Sequence, residues 1–164
     1  MNPKIYPLRQ WVTFVTLLFF SLTMMGQTPL FVAPGASGSG ESESDPAGLQ
    51  FALDKARVDG NPNILYLQTG TYSAGTATFI YTESGNDNED IELSGGWDAL
   101  YLTQTPLPGL TLLDGGNLNQ VLHVSAAQTG LNYQFVIRYL TIQNGYSDTD
   151  QGGGLMLYAG DATA

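Results

Sequence analysis

The chain has 164 residues, with 5 Lys and Arg against 15 Asp and Glu, for a formal net charge of −10. Such an acidic surface repels nucleic acid phosphate and anionic lipid headgroups, so neither is expected as a partner. With no cysteine, a disulfide framework, a thiolate zinc site and an acylated-cysteine anchor are excluded.

Lys4 and Arg9 precede residues 11–25, WVTFVTLLFFSLTMM, an apolar run broken only by Thr and Ser. Its length suits the core of a signal peptide and is short for a transmembrane helix. Residues 1–26 are therefore expected to be an export signal, cut after Thr23 or Gly26, with an uncleaved anchor as the alternative. Its removal takes Lys4 and Arg9 away and moves the net charge from −10 to −12. No second apolar segment of that length follows, so the mature part is not expected to span a membrane.

Residues 27–48 are expected to hold a short strand and a loop. LFVAPG at 30–35 is extended until Pro34 and Gly35 stop it, and ASGSGESESD at 36–45 is a Gly/Ser/acid-rich surface loop. Asp45 followed by Pro46 fits a helix N-cap with proline at N1. Leu49, Ala52, Leu53 and Ala56 then form an apolar stripe on one helical face. That helix should end between Arg57 and Gly60, before Asn61-Pro62. It is too short to stand alone and needs an apolar surface beneath it.

After residue 62 the helical period gives way to short β-prone pieces: ILYL at 64–67, TFIY at 78–81, IEL at 91–93, TLL at 111–113, VLHV at 121–124, FVIRYLTI at 135–142 and LML at 155–157. Breakers lie between them, including Gly70, Gly75, Ser94 to Gly96 and the glycines near 115, 145 and 153. Within FVIRYLTI, Phe135, Ile137 and Tyr139 should share a side, with Leu140 and Ile142 inward after a change of direction. A sandwich expects strands with one wet face and hairpin turns, and a βαβ fold needs crossover helices that the pattern does not offer. A solenoid fits better, because IELSGG, TLLDGG and LTIQNG read as one strand-corner element that recurs.

The order LFVAPGA, acidic loop, LQFALDKA, ILYLQTGTY, IELSGGWDA, TLLDGGN, VLHV, LTIQNG and GGGLML resembles the start of secreted pectate-lyase-like right-handed parallel β-helix proteins. The likeness spans residues 30–157 and is nearest to adhesin-like or autotransporter-like surface proteins, including chlamydial polymorphic outer membrane proteins. It implies an all-β, single-stranded solenoid over residues 49–164, opened by a capping helix at 49–56 and incomplete at its carboxy end. It also implies a non-catalytic secreted or cell-surface passenger, adhesive or structural, whose partner is a host or neighbouring cell surface, matrix or polysaccharide. The competing expectation is a polysaccharide lyase or glycoside hydrolase whose catalytic coils lie elsewhere.

Individual side chains add little chemistry. Trp97 and Tyr101 follow a glycine corner, where rings either stack on sugar or pack beneath a loop, and packing is favoured. Asp87, Glu89 and Asp90, with Asn86 and Asn88, offer oxygen ligands suited to calcium. They lack EF-hand spacing and glycine-aspartate nonapeptide repeats, so loop solvation is favoured over Ca2+ and no other cofactor is expected. Arg138, the last basic residue, suits an outward ion pair better than a catalytic base. Asp148 and Asp150, with Asp114 one coil away, suit corner hydrogen bonds better than paired hydrolytic carboxylates. His123 lacks a second histidine, and alternation leaves it either outward or inward in a structural role. Asp114 is expected to bond turn amides, while Gly115, Gly116, Gly145, Gly152, Gly153 and Gly154 supply corner backbone angles.

Overall fold

A computed structural model describes residues 26–83, 89–126, 133–148 and 152–159. The expected export signal therefore lies, apart from Gly26, outside the described residues. Among the described residues no helix is long and apolar enough to cross a membrane.

The fold is all-β with parallel sheets. In chain order come β1 (Thr28–Val32), the helix α1 (Leu49–Ala56), β2 (Asn63–Gln68), β3 (Gly70–Ser73), β4 (Phe79–Glu83) and β5 (Ile91–Trp97). A short 3-10 turn at Pro108–Leu110 leads into β6 (Thr111–Asp114), followed by β7 (Leu122–Ala126), β8 (Phe135–Arg138), β9 (Thr141–Gln143) and β10 (Leu155–Ala159). The first sheet has the order β1-β2-β5-β8, the second β3-β6-β9 and the third β4-β7-β10. From β2 onward the chain visits the three sheets in rotation, so hydrogen-bonded neighbours are three strands apart. Parallel neighbours need long crossovers, and here strands of the other two sheets serve where α/β folds use helices.

Period-two alternation puts one side of strands β1 to β9 into or against a shared interior. Parallel register then lines up like side chains: Leu30, Leu65, Leu93 and Ile137 are successive partners in the first sheet. Tyr72, Leu113 and Ile142 align in the second sheet. Phe79, Leu122 and Leu155, beside Tyr81, Val124 and Leu157, align in the third. The early members of these columns are buried, whereas Leu155 and Leu157 on the edge strand β10 are 37% and 68% exposed.

The edges facing β1 are covered in three ways. Backbone of the acidic loop pairs with β1, with Phe31 N–H to Gly40 O at 2.9 Å and Ala33 N–H to Ala47 O at 3.0 Å. The helix buries Leu49, Ala52, Leu53 and Ala56 against β1 and β4. The Tyr72 hydroxyl of β3 donates to Val32 O at 2.9 Å, and burial pushes its pKa far above that of a free phenol. Each device occupies strand groups or apolar surface that water or another chain would otherwise meet.

Several local expectations need correction. Asp45 and Pro46 are not the helix N-cap and N1; the cap is Gly48, without a side-chain bond. Ala47 still pairs with Val32, so the chain cannot turn into a helix until it has left the sheet. The Asp45 carboxylate instead accepts Ser39 N–H at 3.0 Å, which holds its pKa below the ordinary value. Ser94, Gly95 and Gly96 do not break the strand but lie within β5, at a bulge between the pairs Tyr66/Ser94 and Gln68/Trp97. Tyr139 does not continue the side of Phe135 and Ile137. It sits at the β8–β9 corner with φ 56° and is 38% exposed. IELSGG is not equivalent to the other two glycine-ended elements, since it belongs to the first sheet. TLLDGG and LTIQNG are equivalent, through the pairs Leu112/Thr141 and Asp114/Gln143.

Candidate binding face

The outer side of the first sheet carries an aromatic series. Phe31 on β1 and Tyr66 on β2 are register partners, their rings edge to face at 5.8 Å. Trp97, at the end of β5, lies over Tyr66 with centroids 4.3 Å apart and planes 35° apart. Rings at these separations attract beyond the area they bury, which stiffens the face across three strands.

β5 then runs into a tight loop at 98–104, closed by an antiparallel bridge between Trp97 and Gln104. Asp98 organises it: one carboxylate oxygen accepts Leu100 N–H at 3.1 Å and Leu102 N–H at 3.0 Å. The Leu102 amide is the main cause of a lowered Asp98 pKa. At the other end of the loop, Gln104 donates to Ser94 Oγ at 2.8 Å and Gly95 O at 2.9 Å. Tyr101 takes φ 54°, which turns its ring inward between two outward leucines. Its ring is 5% exposed and edge-on to Phe31 at 5.0 Å, while Leu100 and Leu102 are 66% and 74% exposed. Burial raises the Tyr101 pKa to about 12, against a smaller pull from the Gln68 side chain.

Across from this loop lies the acidic segment after β1. Glu41 pairs with Lys55 of α1 at 2.6 Å, and Lys55 also donates to Ser39 O at 3.3 Å, fixing the segment to the helix. Between the two loops opens a cleft of about 550 Å3, lined by Phe31, Glu41, Ser42, Glu43, Ser44, Leu100 and Leu102. Its floor and one wall are apolar and the opposite wall is acidic. The sequence pointed to Trp97 and Tyr101 but not to Leu100, Leu102 or the acidic segment facing them. An apolar pair flanking a tyrosine in ALYLT was the available signal. Tyr101 has no ring face left for a sugar, and Trp97 is half-buried over Tyr66.

The remaining candidates are engaged locally. Arg138 pairs with Glu92 at 3.2 Å on the outer side of the first sheet. The Asp114 carboxylate accepts Gly116 N–H at 2.7 Å, Gln143 Nε2 at 2.7 Å and Asn144 Nδ2 at 2.8 Å. The equivalent corner one strand earlier uses Ser73, whose hydroxyl accepts Gly75 N–H at 3.2 Å. Gly115 is buried, and a Cβ there would meet Asn119 O at 2.7 Å and Asn144 O at 2.8 Å. Gly145 and Gly153 approach so closely that a Cβ on either would strike the other's carbonyl. A Cβ on Gly152 would lie 3.1 Å from Leu155 O, and one on Gly154 3.5 Å from Ile142 Cγ2.

His123 lies between buried Leu122 and Val124 and so turns outward, with its Nε2 shielded and making no hydrogen bond. Asp90 accepts Gln134 N–H at 2.8 Å. Asn86, Asp87, Asn88 and Asp150 lie outside the described residues, as does the loop that would complete a calcium site with Glu89. Among the described residues no three His, Cys, Asp or Glu side chains come together as a metal site. Asp148 lines a shallow polar groove with Thr78, Asn119, Gln120 and Tyr146. Comparison with family models, curated proteins and solved structures finds no match for the chain.

Proposed function

We propose that the three parallel sheets are the faces of a right-handed β-helix, and that the chain is an exported, non-catalytic surface passenger acting by adhesion through its side face and loops. The observation that carries this reading is the 98–104 loop, which hydrogen bonding holds in a shape that keeps Leu100 and Leu102 in water beside an acidic wall. A protein with only its own stability to serve gains by burying such a pair, so rigid exposure supports a binding role. Export is supported by the basic and then apolar amino-terminal residues. The cell surface, matrix proteins and polysaccharides are the partner classes that follow. The competing lyase or hydrolase reading would need Arg138 or a carboxylate pair at work on a sugar, whereas Arg138 is ion-paired to Glu92.

The test is to immobilise the purified chain and measure its retention of cells, matrix proteins and acidic polysaccharides. Sugar release is assayed in parallel. Retention without turnover is expected. Release of unsaturated or reducing sugar would sink the non-catalytic reading.

A further inference from the structure

We infer that the cleft between the acidic segment and the 98–104 loop docks an extended polypeptide of the partner, one whose apolar side chains are flanked by lysine or arginine. This rests on the adhesive reading above and names its partner class. The apolar half of the claim comes from Leu100, Leu102 and the Phe31 edge, which together offer seats for aliphatic side chains. Tyr101 wedges beneath them, and the Asp98 carboxylate holds the backbone amides of both leucines. The seats therefore exist before binding, which spares the partner the cost of ordering a loop. Apolar anchors entering preformed pockets carry most of the energy of such interfaces.

The charged half comes from Glu43 on the facing wall, since Glu41 beside it is already paired with Lys55, in a chain with net charge −10. Complementary charge selects a cationic rim and disfavours like-charged partners. A second copy of this chain would bring carboxylates against carboxylates, and an anionic lipid or a polynucleotide would do the same. A polysaccharide would leave its hydroxyls against two leucines, with no hydrogen-bond partner on that wall. A polypeptide supplies both chemistries within a few residues.

The experiment uses the full chain and three synthetic extended peptides of about ten residues, a length that crosses a cleft of this kind. One alternates Leu with Lys, one Leu with Glu, and one Gly with Lys. Binding is measured by calorimetry at two salt concentrations, with phosphatidylcholine vesicles as a further arm. The Leu/Lys peptide should bind and the other two should not. The double variant Leu100→Ser/Leu102→Ser should weaken binding by about tenfold or more, as loss of two apolar seats requires. Glu43→Lys should weaken it severalfold and flatten its salt dependence.

Both leucines are exposed, so the double variant should keep its thermal midpoint. The single variant Leu102→Ser gives the same readout if it does not. No binding of the Leu/Lys peptide, equal affinity in the leucine variants, or vesicle binding abolished by the same variants would each overturn the inference. Retention on cells or matrix that is insensitive to Leu100 and Leu102 would overturn it while leaving the adhesive reading intact. No retention on any surface would remove that reading as well.

Discussion

The side-chain carboxamide of Gln50 bonds to both backbone groups of Ile80: Ile80 N–H donates to Gln50 Oε1 at 2.8 Å, and Gln50 Nε2 donates to Ile80 O at 2.9 Å. Gln50 lies on α1 and Ile80 on β4, an edge strand of the third sheet. One amide thus does for β4 what a neighbouring strand would do, supplying a donor and an acceptor at peptide spacing. The helix covers the interior by its apolar stripe and the edge by this single polar residue.

Gln50→Ala should accordingly destabilise the protein by about 1 to 2 kcal/mol, the net worth of two solvent-accessible hydrogen bonds. Gln50→Glu keeps the acceptor for Ile80 N–H but sets a carboxylate against Ile80 O at neutral pH. It should therefore be no more stable than the alanine variant at pH 7 and should recover at a pH where the carboxyl is protonated. Urea denaturation at the two pH values measures both effects. Equal stability of all three proteins at pH 7 would show that β4 does not depend on this contact.

Gly95 should be intolerant of any side chain. A Cβ there would run into Tyr139 O and lie 3.0 Å from Thr111 Cβ, and the carbonyl is backbone at a neighbouring corner, unable to swing aside. Gly95→Ala should cost about 3 kcal/mol or more, in the range for overpacking and backbone displacement. Gly109→Ala is the control, since nothing lies within 4 Å of a Cβ there. Its melting temperature should stay within a few degrees of the parent. A mild Gly95→Ala would mean that the β8–β9 corner can shift away from β5.

This pair shows what sequence could and could not convey. The Ser94-Gly95-Gly96 run departs from the strand pattern, and on sequence alone it reads as a corner. The close approach that requires it comes from Tyr139, more than forty positions along the chain. No local pattern encodes such a contact. The strands themselves were legible, because Leu65, Leu93 and Leu113 alternate with partly exposed neighbours in ILYLQ, IEL and TLLD. The helix face was equally plain from Leu49, Ala52, Leu53 and Ala56. Its start lies later than the local pattern suggests, because Asp45 and Pro46 carry a capping signal that the pairing of Ala47 with Val32 overrides. Leu100 and Leu102 carry no such signal, because a loop leucine looks the same in sequence whether it is covered or open.

The aligned interior predicts a gradient of mutational cost along the stack. Leu65 and Leu93 are fully buried between register partners on both sides. Leu65→Ala and Leu93→Ala should each cost about 2 to 5 kcal/mol, the transfer loss plus the cavity left between fixed strands. Leu157 shares a column with Tyr81 and Val124 yet is 68% exposed on β10, so Leu157→Ala should cost less than about 1 kcal/mol. Denaturant midpoints of the three variants decide the matter. Comparable losses at all three sites would mean that β10 is covered in solution by something that buries Leu157.

Acid should loosen the corner at Asp114 before it reaches the apolar columns. The Asp114 pKa is lowered from 3.8, chiefly by the Gly116 amide and then by the Gln143 and Asn144 side chains. A carboxylate whose native pKa lies below its unfolded value adds stability that is fully present above about pH 4, and that stability is lost as pH falls through the native value. Asp45 and Asp98 are lowered in the same direction by their own backbone amide donors, so the three act together in that window. Asp114→Asn keeps an acceptor for Gly116 N–H but points an NH2 group at two other donors. It should be less stable than the parent at neutral pH and should lose less on acidification. Denaturant midpoints between pH 5 and 2, with the Asp114 carboxyl followed by NMR, measure both. A carboxyl titrating at or above 3.8, or parallel acid curves for the two proteins, would show that solvent screening reduces this corner's contribution to nothing measurable.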